Sequence, residues 1–408
     1  MGKLDEIRAM VPALGRKVWG KDLVYFDNAA TSQRPQSVID KWNQMTTVSN
    51  ANIHRAVHLL AQEATDAYEA ARDAVKDFIN AGSREEVIFT SGTTQSINLV
   101  AFCFGEAFVG EGDEIIVSEA EHHSNIVPWQ MMCQRKKAVL KVLPVDDEGH
   151  LIISELDTLI TEKTKLLAVT HISNVLGIVN PVKRIIDICH SHGVAVLVDG
   201  AQGIVHTKVD VQQMDCDFYV FSGHKIYAAT GTGVLYGKRK FLDAMPPYMG
   251  GGEMIKTVSF KGTSYAEIPG KYEAGTQNFA SSATLVPALE FANLMNDNEL
   301  SDNLSQISQY LENALKNVNG PKIYGTGSQD EPKAPVFSFT IEGVHHEDLA
   351  LILDKMGVAV RSGQMCAEPV MDRFGVTGML RASLSPYNTM SEVEYFVKCL
   401  DRAVKMLR

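Results

Sequence analysis

From Glu86 onward the chain alternates short β-branched or aromatic runs with stretches of helix length, and this pattern narrows the fold before any single residue is weighed. The runs "EEVIFTSG", "DEIIVSEA", "AVLKVLPVD", "KLLAVTHIS", "VAVLVDGAQ", "DFYVFSG" and "TGVLYG" read as strands bounded by turn residues. Between most of them lie "TTQSINLVAFCFGEAF", "NIVPWQMMCQRK" and "PVKRIIDICHSHG", which read as helices. Apolar strands separated by helices predict an α/β fold, a largely parallel sheet covered by helices on both faces. Active sites of such sheets gather beyond the C-terminal ends of the strands, which fixes where to look for chemistry.

Upstream, "QSVIDKWNQMTTV" and "QEATDAYEAARDAVKDFINA" read as two amphipathic helices. After about Ser281 the texture changes. One long helical stretch, "ALEFANLMNDNELSDNLSQISQYLENALKNV", precedes the strand "PVFSFTIEG", the helix "HEDLALILDKMG", the strand "VAVRSG" and the helix "SEVEYFVKCLDRAVKML". This tail predicts a second, smaller α+β unit.

The residues just past the strands form a polar set. After "VIFT" comes "SGTTQ", after "IIVSEA" comes "EHHSN", and after "LLAVTHI" comes "SN". After "VAVLV" comes "DGAQ", and after "FYVF" comes "SGHK". Gly92-Thr93-Thr94 enters a helix, where backbone N–H groups and the helix dipole favour a phosphate; the competing reading is N-capping by Ser91 or Thr93. Asp199 ends an apolar strand, either as a turn residue or as the partner of a cationic ring nitrogen. Lys225 sits at the end of "FYVFSGHK", where an unpaired ammonium is costly. It is either a snorkelling lysine or an amine whose proton is lost by desolvation and which forms a Schiff base. A phosphate cradle, a carboxylate and an amine match the phosphate, pyridine nitrogen and aldehyde of pyridoxal phosphate.

The pair His122-His123 admits a metal reading with His171 or His224. Adjacent histidines on a strand point to opposite faces, so no metal site is expected. His122 is read as a ring packed over the cofactor and able to move protons, and His123 as structural.

Charge and cysteine usage bound the partners. The chain carries 38 basic and 49 acidic residues without a basic block, which argues against nucleic acid and anionic membranes. No apolar run approaches the roughly 18–20 residues of a membrane span, and the first residues lack the apolar core of a secretory leader. The six cysteines include no C-x-x-C pair, the usage of a reduced compartment, so the cytoplasm is expected. Cys103, Cys133, Cys189 and Cys399 lie inside apolar helical patterns, and Cys216 precedes a strand. Cys366 instead lies in "RSGQMCAEP", bounded by Gly363 and Pro369, and reads as a loop thiol, either inert or nucleophilic.

The motifs "FDNAATSQRP", "NIHRAVH", "SGTTQSINLVA", "EHHSNIVPW", "THISNVLG", "VDGAQG", "DFYVFSGHK", "EAGTQN" and "RSGQMCAEPVM" followed by "LRAS" together resemble the group II, SufS-type cysteine desulfurases of the class V aminotransferase superfamily. The resemblance runs from about Tyr25 to the C-terminus. It implies fold type I, with a large domain at 25–280, a small C-terminal domain at 281–408 carrying the reactive cysteine, and an N-terminal segment at 1–24 packing with the small domain. It implies pyridoxal 5'-phosphate, with Lys225 as its Schiff-base lysine, Asp199 at the ring nitrogen, Gln202 at the ring hydroxyl and His122 stacked on the ring. Thr93, Thr94, Ser222 and His224 would bind the phosphate, joined by Thr276 from the other subunit of a homodimer. Asn174 and Arg381 would hold the substrate carboxylate, Ala29 would adjoin the substrate, and His54 and Arg55 would line the entrance from the neighbouring subunit. Cys366 would be the nucleophile that takes sulfur from L-cysteine, leaving L-alanine, and passes it to a SufE-like or SufU-like acceptor for iron–sulfur cluster assembly. A selenocysteine lyase, or another class V transformation, would share most of these residues.

The chain departs from that pattern twice. Gln364 and Met365 stand where relatives carry one or two histidines before the cysteine, and Ala228-Ala229 stands where they read Gly-Pro. Alanine tolerates positive φ poorly, so a different loop is expected after Lys225.

Overall fold

The computed structural model describes residues 2–317, 320–328 and 332–408. Among the described residues a seven-stranded sheet forms the centre, built from β1 (Val87–Thr90), β2 (Glu114–Ser118), β3 (Val139–Leu143), β4 (Thr164–Thr170), β5 (Ala195–Asp199), β6 (Phe218–Ser222) and β7 (Gly233–Gly237). Their order across the sheet is β1-β7-β6-β5-β4-β2-β3, and only β7 runs against its neighbours. All seven expected strands form. The other six strands end on one edge, and the residues that follow them converge there.

Side-chain alternation explains why both faces are covered. Tyr219 and Phe221 of β6 join one apolar cluster with Val196 and Val198 of β5. Phe218 and Val220 join a second cluster with Ala195 and Leu197. Successive residues thus serve opposite layers, as a doubly covered sheet requires. Helix α1 (Leu59–Phe78) contributes Ala64, Tyr68, Ala71 and Val75 to the first layer, and α2 (Thr93–Phe108) contributes Ile97, Val100 and Phe104 to the second.

The long helical stretch after residue 281 is not one helix. It divides into α3 (Leu285–Met295) and α4 (Asn298–Asn317). Leu285, Leu289 and Phe291 of α3 belong to the core of the large unit, whereas Ile307, Leu311 and Leu315 of α4 belong to a separate core with Phe337, Phe339 and Phe396. By packing, the change of unit therefore falls nearer Asn298 than the expected residue 281. The smaller unit is a four-stranded antiparallel sheet of β8 (Pro321–Tyr324), β9 (Val336–Ile341), β10 (Arg361–Gly363) and β11 (Met379–Ser383), in the order β8-β9-β11-β10. The N-terminal segment touches both units: Val24 and Tyr25 pair parallel to Val358 and Ala359, whereas Ile7, Val11 and Leu14 join the core of the large unit.

A buried ion pair fixes α1 to β1. Arg72 donates to both carboxylate oxygens of Glu273 at 2.8 and 2.9 Å, and Glu273 also accepts from Phe89 N and Tyr68 Oη, each at 2.8 Å. The Arg72 and Glu273 side chains are only 2% and 4% exposed. Glu273→Ala would leave the guanidinium buried and uncompensated, at an expected cost of about 3–5 kcal/mol. Equilibrium denaturation measures this, and a change below about 1 kcal/mol would count against the pair as a structural clasp.

Candidate active site

A cavity of about 230 Å³ opens at the converging strand ends, closed on its other side by the small unit. The large unit supplies Thr93, His122, Asn174, Asp199, Gln202 and Lys225, among others, the small unit supplies Arg361, Met365, Cys366 and Arg381, and Ala29 comes from the loop after Tyr25.

One wall is built to receive an anion. Helix α2 begins at Thr93 after Gly92, whose φ is 154° and which has no side chain to cap it. Neither capping alternative is realised, since Ser91 donates its N–H to Gln95 and Thr93 N donates to Ser222 Oγ at 2.8 Å. A Cβ on Gly92 would lie 3.2 Å from Ser222 Oγ, and one on Gly233 would lie 2.4 Å from Gly92 Cα, so the turn closes only with glycine at both places. The hydroxyls of Thr93, Thr94 and Ser222 stand at this terminus, with Thr94 Oγ1 2.7 Å from Ser124 Oγ. Hydroxyls and open N–H groups at a helix N-terminus are a phosphate cradle.

Asp199 and Lys225 occupy the floor. Asp199, the last residue of β5, accepts from Ala201 N at 2.9 Å through one oxygen. Burial raises its carboxyl above the usual range, opposed by the Lys225 charge and the Ala201 N–H. Burial also lowers the Lys225 ammonium to about 8; Asp199 opposes this, while Arg381 and Arg361 push in the same direction. Each group therefore disfavours its own charge, and a protonated ring nitrogen beside Asp199 would compensate the carboxylate. Gln202 donates to Ala29 O at 2.6 Å, tying the loop after β5 to the loop after Tyr25.

His122 and His123 lie beyond the end of β2, at the start of a short 3₁₀ turn, so the strand-alternation argument applied to them does not hold. His122 Nδ1 accepts from Ser124 N at 3.0 Å, which leaves the proton of the neutral ring on Nε2. Burial, with Lys225 next in effect, lowers this imidazole to about 4. Beneath it Glu121, fully buried, accepts from Asn125 Nδ2 at 2.6 Å and Thr170 N at 2.8 Å, tying the His122 segment to β4.

Two guanidiniums share one carboxylate. Arg361 and Arg381 are direct partners in the β10–β11 register, where like charges are unfavourable, and both reach Asp27, at 3.3 and 3.1 Å. Arg381 also donates to Asn174 O at 2.8 Å, and its buried Nε has no partner among the described residues. An orphaned donor in a pair short of one negative charge suits a carboxylate.

Cys366 is exposed, whereas Cys103, Cys133, Cys189, Cys216 and Cys399 are buried. Burial pushes the thiols of Cys103 and Cys189 up to about 12 and that of Cys133 to about 11. Met365 and Cys366 are both left-handed, with φ of 53° and 56°. Of the two departures before the cysteine, Gln364 donates to Glu368 at 3.1 Å, and Met365 packs into an apolar cluster with Val175, Leu176 and Val370. After Lys225 the left-handed residue is Tyr227, with φ of 68°, and Ala228 and Ala229 do not adopt positive φ.

His54, Arg55 and Thr276 do not line this cavity. His54 packs on Tyr68 and lies 3.7 Å from Glu69, Arg55 pairs with Glu253, and Thr276 is exposed. Sequence reasoning missed Arg361, Asp27, Ser124 and Thr170. Arg361 carried the same signal as Lys225, a cation at the end of an apolar strand.

The donor set fits pyridoxal phosphate: the uncapped helix terminus for phosphate, Asp199 for the ring nitrogen, Gln202 for the ring hydroxyl and Lys225 for the aldehyde.

Residues 24–396 match the family model described as aminotransferase class-V. A probable cysteine desulfurase of Vibrio cholerae is 44% identical over 407 residues, covering 100% of both chains. A cysteine desulfurase of Serratia proteamaculans is 45% identical over 405 residues, covering 99% of each. Among solved structures, the Escherichia coli cysteine desulfurase CsdA in its S-sulfonic acid form superposes with a TM-score of 0.91 at 42% identity, covering 100% of both chains. The apo cysteine desulfurase of Thermococcus onnurineus gives 0.92 at 35% identity, covering 100% of this chain and 99% of that one.

Proposed function

The chain belongs to the class V aminotransferase family as a pyridoxal-phosphate-dependent cysteine desulfurase, and from that premise we propose that it stores the sulfur of L-cysteine on Cys366 and hands it to an acceptor protein. The observation that carries this reading is the meeting of Lys225, Asp199, the paired Arg361 and Arg381, and the exposed Cys366 around one cavity.

Thr93, Thr94, Ser222, His224 and the α2 terminus hold the phosphate. Asp199 would keep the ring nitrogen protonated, Gln202 would meet the ring hydroxyl, and His122 would pack over the ring. When bound, pyridoxal phosphate supplies a sink for the electron pair released at the substrate α-carbon. Arg381 and Asn174 hold the substrate carboxylate, beside Ala29, and so fix which bond at the α-carbon is presented. Lys225 Nζ, held near neutrality by burial, takes the α-proton. Cys366 Sγ, as the thiolate, attacks the sulfur of the substrate; the S–S bond forms as the substrate's C–S bond breaks. The electron pair of the broken C–S bond stays with the β-carbon, which takes up a proton; alanine leaves once Lys225 has also returned a proton to the α-carbon, and Cys366 keeps the sulfur as a persulfide.

An exposed turn is accessible to a second protein, which supports transfer to a SufE-like or SufU-like acceptor and a role in iron–sulfur cluster assembly. The remaining site residues, His54, Arg55 and Thr276, come from a second copy in a homodimer. Their grouping supports this, because His54, the Arg55 partner Glu253 and the Thr276 neighbour Gln277 border a single surface cavity. Six unpaired cysteines accord with a cytoplasmic setting.

A single turnover with L-cysteine and no reductant tests the reading. One alanine per site is expected, with the Cys366 peptide heavier by one sulfur atom. Alanine accompanied by an unmodified Cys366 peptide and free sulfide would overturn it. The cofactor-free protein should also capture added pyridoxal phosphate faster as pH rises through about 8, since only the neutral Lys225 amine is nucleophilic. Stopped-flow absorbance reads this, and a rate that falls across the same range would contradict the lowered ammonium.

A further inference from the structure

We propose that His123 is a positioning residue for the nucleophile, holding the Cys366 turn against the cofactor side of the cavity. The proposal rests on the reading of Cys366 as the sulfur acceptor. Two bonds carry it. His123 N donates to Cys366 O at 2.7 Å, and His123 Nε2 accepts from Glu368 N at 3.0 Å. Together they grip the chain on both sides of the buried Ala367, at the entrance to the helix Glu368–Phe374.

The turn they hold needs holding. Consecutive non-glycine residues in the left-handed region, Met365 and Cys366, persist only where the surroundings overdetermine them. Two further contacts complete the set: Asn174 Nδ2 donates to Met365 O at 2.9 Å, and the Met365 side chain is buried among Val175, Leu176 and Met371. Of these anchors, His123 alone lies beside His122 in the chain, so one dipeptide sets both the ring that covers the cofactor and the loop that carries the thiol. Because Nε2 accepts the hydrogen bond from Glu368 N, the His123 ring carries its proton on Nδ1. A side chain without an acceptor there leaves the exposed Glu368 N–H to solvent and frees one end of the turn.

Two variants of the cofactor-loaded enzyme separate positioning from bulk. His123→Phe keeps a ring and removes the acceptor; His123→Gln keeps an acceptor of similar reach. The Phe variant should lower kcat for alanine formation about tenfold to a hundredfold, the scale of a misplaced reacting atom. It should leave KM for cysteine and the bound-cofactor absorbance unchanged, and the Gln variant should recover most of the loss. Iodoacetamide labelling of Cys366 should change rate in the Phe variant and return towards the parent rate in the Gln variant. Parent-like kcat and labelling in the Phe variant would overturn the proposal, as would equal losses in both variants or loss of cofactor absorbance. If the parent enzyme loads no sulfur on Cys366, the functional reading fails first. If the parent loads sulfur and the Phe variant does so equally fast, only the role of His123 fails.

Discussion

Replacing Lys225 by alanine is expected to reduce turnover of L-cysteine by about 10²–10⁴-fold or more, the scale on which proton transfer by a placed side chain contributes. The reason lies in its surroundings. Lys225 follows β6 in a short 3₁₀ turn and shares the cavity with Arg361 and Arg381, neither of which can release a proton at working pH. Lysine is therefore the one cation lining this cavity that can become a neutral amine, and burial already moves it there. Lys225→Arg is the informative companion, since it keeps charge and length but cannot deprotonate, and it should fail as badly as alanine. Both variants should still fold, because the Arg72–Glu273 clasp and the two layers around the sheet lie elsewhere. Near-parental alanine production by either one would remove Lys225 from the chemistry.

The second large effect is that of Cys366→Ser, which should lower alanine formation from cysteine by about 10³-fold or more while leaving the bound-cofactor absorbance intact. A serine hydroxyl stays protonated at neutral pH and cannot form the S–S bond that accepts the sulfur. No other cysteine can substitute, since the remaining five are buried, and burial pushes each of their thiols upward. Retained absorbance separates loss of the nucleophile from loss of the site. Full cysteine-to-alanine turnover in the serine variant would mean that sulfur leaves without a protein acceptor.

The large unit was legible because its signals are local. Seven strands could be read from short apolar runs, and a parallel sheet necessarily brings Thr93, His122, Asn174, Asp199 and Lys225 to one edge. What escaped notice depends on pairing across long sequence separations. Asp27 reaches the site through a bridge to Ser383, and Arg361 faces Arg381 only because β10 and β11 adopt that register. Neither pairing leaves a periodic trace. The break between α3 and α4 at Asn296-Asp297 was hidden because the apolar pattern on either side is helical. His123 was placed on a strand; it lies past the strand end instead, where both its backbone and its ring reach the Cys366 turn. His54, Arg55 and Thr276 were named from resemblance alone, and no pattern within one chain says which copy they serve.

Borohydride reduction of the cofactor-loaded enzyme, followed by peptide mass spectrometry, tests the central claim most directly. A single pyridoxyl adduct is expected, on the peptide that contains Lys225. An adduct on any other lysine, or none from a protein saturated with the cofactor, would contradict it.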